Sequence, residues 1–269
     1  MPMVRRQRVQ TAAFRLGYGA MFLLLIAPLV VLITTSFAAS SSFQFPPQGF
    51  SLQWYAEFVQ SQTWLTAVKN SVIVGTGTIL LSTTLSLLAA FGVRESDSVW
   101  ISRLIPLTLM PLFLPPVVLG VALLSFFGSY NLHQTYGSII VAHALWATPI
   151  SFLIIQSVMT QVNWGLQDAA LDLGASPLRT KFEVIFPQIK QGLFASALIA
   201  FIISLQEFVM ALFLSGQETR TIPVLAWTAI SQMLDPIVNV ISTLLITLVV
   251  VVLLLSAFSI GLNRLARQL

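Results

Sequence analysis

The sequence predicts an all-α polytopic membrane protein with six transmembrane helices and both termini in the cytoplasm. Three observations predict it: the composition, the recurrence of long apolar runs, and the side on which the cations fall. Of 269 residues, 57% are hydrophobic and 8% charged. A soluble domain carries about 25% charged residues. A helix that crosses the hydrocarbon takes about 20 apolar residues. Runs of that kind recur at 17–37, 70–93, 104–127, 137–159, 192–214 and 237–262.

The connecting stretches alternate in character. Arg5, Arg6, Arg8 and Arg15 precede the first run, and Arg94 and Arg103 follow the second. Arg179, Lys181 and Lys190 follow the fourth, and Arg264 and Arg267 follow the sixth. The opposite set of loops holds only Lys69 and Arg220, so eleven of the 13 cations share one side. The positive-inside rule makes that side cytoplasmic. The first run has a basic segment before it and small residues after it, as a signal peptide has. Its apolar length exceeds the about 7–15 residues of a cleaved signal, so it is expected to stay as a helix.

The first outer loop opens with Ser40, Ser41, Ser42, Pro46, Pro47 and Gly49, a turn-rich start. Trp54, Tyr55, Phe58 and Trp64 follow and are expected at the membrane interface. In the second run, Gly75, Gly77 and Ser82-Thr83-Thr84 are expected at close helix contacts. Met110, Pro111, Pro115 and Pro116 break the third run.

The cytoplasmic stretch 161–191 has a pattern of its own. Leu166, Ala169, Ala170 and Leu173 fall on one helical face, with Asp168 and Asp172 on another. Gly174 reads as the stop. Ser176 and Pro177 read as the cap and first residue of a second short helix bearing Arg179, Lys181 and Glu183. Pro187 is expected to end that helix before the fifth span. Helices that lie on lipid favour cations and large apolar residues. This one is acidic with an alanine face, so docking on protein is expected ahead of lying on lipid.

Asp168-Ala169-Ala170, Gly174 and Ile185-Phe186-Pro187 together resemble the EAA signature of binding-protein-dependent ABC import permeases. Asp168 stands where the family usually has Glu. Asn70-Ser71 is similar to the family's entry to its five-helix core. Ser204-Leu205-Gln206-Glu207-Phe208, Leu214-Ser215-Gly216 and Ile222-Pro223-Val224 resemble the second permease of spermidine/putrescine-type importers. The resemblance spans nearly the whole chain. It implies a type I importer permease fold, one transmembrane domain over 1–269 with the coupling hairpin 161–191 inside it.

The resemblance also implies partners: a second permease, expected to be non-identical, two nucleotide-binding ATPase subunits, and an extracytoplasmic solute-binding protein. No nucleic acid is expected. The location implied is the bacterial inner membrane, multi-pass in the bilayer. Residues implied to couple to the ATPase are Asp168, Ala169, Ala170, Leu173, Gly174, Ala175, Ser176 and Pro177. The implied solute is a polyamine or related small amine. A phosphonate, an amino acid derivative or another small solute is the alternative.

The residues themselves point to an energy source in another chain. Lys69, Lys181 and Lys190 follow Val68, Thr180 and Ile189, and a P-loop lysine follows a glycine. The chain is therefore expected to be non-catalytic, with no cofactor of its own, and ATP and Mg bound by the partner ATPase. Without cysteine, thiolate metal sites and thiol nucleophiles are excluded. His133 and His143 lack a metal-binding spacing, so no metal is expected. An ion-coupled secondary transporter would carry several intramembrane acids. Here Glu207 alone lies deep in an apolar run. A charge there is expected to line the solute path, with Ser204, Gln206, His143 and Trp146 as further path candidates. Ser204 and Ala211 are expected on the face of Glu207. A structural role in helix packing is the alternative for Glu207 and for His143.

Overall fold

The computed structural model describes residues 2–41, 44–96, 98–232 and 235–266. Ser42 and Arg267, and the side chains of Arg5, Arg6, Arg8 and Arg264, lie outside the described part. The described chain is helical, with one isolated antiparallel bridge between Ala38 and Phe50. The helices are α1 Pro2–Ser36, α2 Gln53–Gln60, α3 Gln62–Glu95, α4 Val99–Thr108, α5 Pro116–Ser129 and α6 Tyr136–Met159. They continue as α7 Trp164–Asp172, α8 Pro177–Thr180, α9 Phe186–Gln206, α10 Val209–Leu214, α11 Ile222–Gln232 and α12 Ile237–Ala266. Four helical stretches are long and apolar enough to cross a membrane: Phe14–Ser36, Gln62–Glu95, Tyr136–Met159 and Pro177–Gln206. Two shorter apolar helices, Pro116–Ser129 and Ile237–Val251, lie in the third and sixth expected spans.

The chain divides into two compact units, Met1–Gln62 with Thr228–Leu269, and Thr63–Trp227. In the first, α12 packs on α1 and α2. Two aromatics of the first outer loop pack on the chain where α1 ends. Tyr55 stacks on Phe37, with ring centres 5.0 Å apart, and its hydroxyl is 2.8 Å from Ser36 Oγ. Trp54 Nε1 donates to the Ala38 carbonyl at 2.8 Å. These bonds pin α2 against the end of α1. Phe58 is buried in this unit and Trp64 in the other.

The second unit is organised around α3, α6 and α9. Two apolar clusters lie along them. One joins Val74, Ile139, Ala142, Met210 and Leu214 to Leu119 and Phe127 of α5. The other joins Ala90, Phe91, Phe152, Ile155, Met159, Ile185 and Ile189. Small side chains bring the backbones together. A Cβ on Gly75 would meet Phe201 at 2.6 Å, one on Gly77 would meet Ile140 at 2.5 Å, and one on Gly192 would overlap Val158. Ser82 is buried among these contacts, whereas Thr84 is exposed, so the expected Ser/Thr contact run is shorter than three residues.

The third expected span is interrupted, as its prolines require. Pro106 stands inside α4, a 3₁₀ turn covers Met110–Phe113, and Leu114 is extended before Pro115. The fifth expected span differs from the sequence reading in two places. At its start, Pro187 does not end a helix. The path stays helical from Pro177 through a π turn at Lys181–Ile185 into α9. The Phe186 N–H reaches back five residues to the Lys181 carbonyl. Pro187 then falls in the first turn of α9, the part of a helix that tolerates proline. At its end, α9 stops at Gln206 and Glu207 is extended. The helix that would align Ser204, Glu207 and Ala211 on one face is broken between them.

Candidate functional site

The hairpin 161–191 is built by local chemistry. The Asn163 N–H, at the cap of α7, donates to Gln188 Oε1 at 3.0 Å. α7 ends in a Schellman motif: Ala175 N–H donates to the Ala170 carbonyl at 3.0 Å and Gly174 N–H to that of Leu171 at 2.9 Å. Gly174 has φ +87°, a value that glycine adopts without a steric penalty. Ser176 Oγ then accepts the Arg179 N–H, capping α8 ahead of Pro177.

The base and the tip of the hairpin differ. Val162, Thr180, Ile185 and Ile189 are buried at the base, three of them in the apolar cluster at the C-terminal end of α3. At the tip Asp168, Ala169, Gly174, Ser176 and Pro177 are exposed, and Ala170 and Ala175 are half-buried. Leu173 is 89% exposed, and Leu166, Leu178 and Phe182 are exposed beside it. An exposed apolar surface of this kind meets either a protein or a membrane.

The last turn of α3 holds both arms of this hairpin. Arg94 places its guanidinium carbon 4.7 Å from the centre of the Trp164 ring, at the start of α7. Glu95 Oε1 lies 2.6 Å from Lys181 Nζ on the returning arm, and that ammonium is 4.9 Å from the Phe91 ring. Their pairing across about 70–90 positions of sequence is a product of the fold.

The N-terminal end of α3 makes a different attachment. Asn70 Nδ2 donates to the carbonyls of Glu218 and Arg220, both at 2.9 Å, and Asn70 Oδ1 accepts the Tyr136 hydroxyl at 2.7 Å. Ser71 Oγ accepts the Ile222 N–H at 2.8 Å. Thr219 Oγ1 accepts the Gly216 N–H and donates to the Gln134 carbonyl. The loop between α10 and α11 is thereby fixed by buried side-chain bonds.

The residues expected along the solute path do not share one surface. His143 is fully buried, its Nδ1 hydrogen-bonded at 2.8 Å to Ser204 Oγ, with Thr78 Oγ1 3.4 Å from the same hydroxyl. Trp146 Nε1 donates to the Pro111 carbonyl, at the interruption between α4 and α5. Glu207 is 7% exposed and its carboxylate accepts the Met210 N–H at 2.7 Å. That bond occupies an N–H in the first turn of α10 that has no partner within the helix. Gln206, beside it, is exposed. Among the described residues no cluster of three or more His, Cys, Asp or Glu could hold a metal ion.

The chain is similar in sequence and in fold to known proteins. Residues 82–268 match the family described as "Binding-protein-dependent transport system inner membrane component". The putrescine transport system permease protein PotI of Escherichia coli K12 is 28% identical over 84% of this chain and 82% of its own. The trehalose/maltose transport system permease protein MalG of Thermococcus litoralis is 28% identical over 82% of each chain. The fold superposes on a bacterial ABC transporter involved in import of the acidic polysaccharide alginate, with TM-score 0.79 and 13% identity, covering 94% of this chain and 98% of that one. A bacterial alginate ABC transporter in complex with an alginate pentasaccharide-bound periplasmic protein superposes with TM-score 0.69 and 16% identity over 94% and 93%.

Proposed function

We propose a function from one premise: the chain belongs to the family of binding-protein-dependent transport system inner membrane components. A member is a non-catalytic, membrane-spanning permease subunit of an ABC importer. In our reading this chain forms half of the solute pathway in the bacterial inner membrane, beside a second, non-identical permease. Two ATPase subunits bind ATP and Mg, and an extracytoplasmic binding protein delivers the solute. The whole of 1–269 acts as one permease domain, and the hairpin 161–191 is its coupling element.

The observation that carries this reading is the ordered, exposed apolar tip around Leu173 on a buried base. Asp168, Ala169, Ala170, Leu173, Gly174, Ala175, Ser176 and Pro177 are the docking residues. Ala170→Glu places a charge in that contact. Co-purification of the ATPase subunit then falls by about tenfold or more while membrane insertion is kept. Undiminished co-purification would refute the docking assignment.

The solute we assign is a polyamine or related small amine, on the likeness to the putrescine permease. The equal identity to a disaccharide permease supports a second reading, another small solute such as a sugar, a phosphonate or an amino acid derivative. Of the path candidates, Gln206 stands open at the end of α9. Glu207 caps α10 behind it, Ser204 and His143 are bonded to each other, and Trp146 is bonded at the separate interruption between α4 and α5. Thermal stabilisation of the cognate binding protein decides between the solutes. A shift with putrescine or spermidine and none with maltose or trehalose supports the amine reading; the reverse overturns it and leaves the permease intact.

A further inference from the structure

α3 is fastened at both ends, and by different means. Its last turn grips two separate arms of the hairpin, Trp164 through Arg94 and Lys181 through Glu95. Its first turns grip the loop between α10 and α11 through Asn70 and Ser71. From Asn70 to Glu95 the helix is unbroken and spans about 38 Å at 1.5 Å per residue. It contains no proline, so no backbone donor is lost inside it. Gly75 and Gly77 seat it against Phe201 and Ile140 along the way.

We propose that α3 is the rod that carries hairpin movement to the α10–α11 loop on the opposite face, with Arg94 and Glu95 as its positioning residues. This rests on the coupling role of the hairpin. A hairpin held by one contact could tilt about it. One held through both arms moves the end of α3 with it. The apolar cluster around Phe91, Ile185 and Ile189 keeps that end packed as the hairpin is pushed. Asn70 hands the displacement to the carbonyls of Glu218 and Arg220. Both fastenings are present in one arrangement here; the coupling itself is what must be measured.

The chain has no cysteine, so one introduced thiol is a clean reporter. Glu218→Cys puts it on the exposed side of the loop. The assembled importer, with its ATPase subunits, is treated with a membrane-impermeant maleimide, without nucleotide and after trapping with ATP and vanadate. The expected result is an about fivefold change in labelling rate on trapping, within the range of allosteric coupling. Glu95→Lys abolishes the change while ATPase co-purification is retained, and Glu95→Lys with Lys181→Glu restores it. Trp164→Ala reduces it in the same way. Three results overturn the rod: no nucleotide-dependent change in the parent protein, a full change in Glu95→Lys, or no rescue by the charge swap. The outcome is separable from that of the docking assignment, because Ala170→Glu breaks association and Glu95→Lys does not.

Discussion

The α10–α11 loop and the 161–191 hairpin both connect helices of the same unit, and they are held in different ways. The loop is fixed by neutral hydrogen bonds to buried side chains. Asn70 is 1% exposed and uses both ends of its amide. The hairpin has an apolar base, but its visible pairs are at the surface. Arg179 and Glu183, 3.0 Å apart, have side chains 67% and 61% exposed. Buried bonds resist exchange with water, since leaving a partner unpaired carries a desolvation penalty. Exposed ion pairs form and break at little cost. The loop is held throughout, whereas the hairpin is held at its base and open at its tip, as the proposed docking role requires.

Substitutions test that contrast, and the largest effect is expected in the loop. Asn70→Ala leaves the Glu218 and Arg220 carbonyls and the Tyr136 hydroxyl without their partner. We expect a loss of about 3 kcal/mol, read as a drop in the thermal midpoint of the detergent-solubilised protein. A midpoint within a degree of the parent would show that the loop is as loosely held as the hairpin.

Gly174→Ala comes next. At φ +87° a Cβ is strained, although nothing lies within 4 Å of it. The cost of about 1 kcal/mol falls on the turn alone. The ATPase subunit should therefore co-purify less well while the thermal midpoint moves little. If the midpoint falls as far as for Asn70→Ala, the hairpin is part of the permanent core and the contrast fails. The smallest effect is expected from Arg179→Ala, about 0.3 kcal/mol for an exposed pair four residues apart on a helix. A loss of ATPase association there would mean that Arg179 touches the partner directly.

Much of the hairpin was legible in the sequence because its signals are local. Gly174, Ser176 and Pro177 each impose a backbone outcome within a few residues. The path behind Pro187 was misread for a local reason too. A proline breaks an α-helix where a partner N–H is needed, but the π turn before it moved Pro187 into a first turn. Glu207 was legible as a buried charge and not as a cap, because the break at Gln206 leaves no apolar-pattern signature. α2 and α11 were missed outright. Both are short helices outside the long apolar runs, where hydropathy is a weak guide.

What the sequence by itself determined is the solvent and the family. Few charges, long apolar runs and cations on one side require a bilayer, since those free energies sum along the chain whatever it packs against. The EAA-like spacing marks the importer permease for the same reason: its turn and caps are set within a few residues. Only the tertiary structure decided which distant groups meet. Asn70 with Glu218 and Arg220, Arg94 with Trp164, and Glu95 with Lys181 are joined by packing of α3 against α6 and α9. Their energies depend on distances that arise after the helices have packed, and no periodicity along the chain records them.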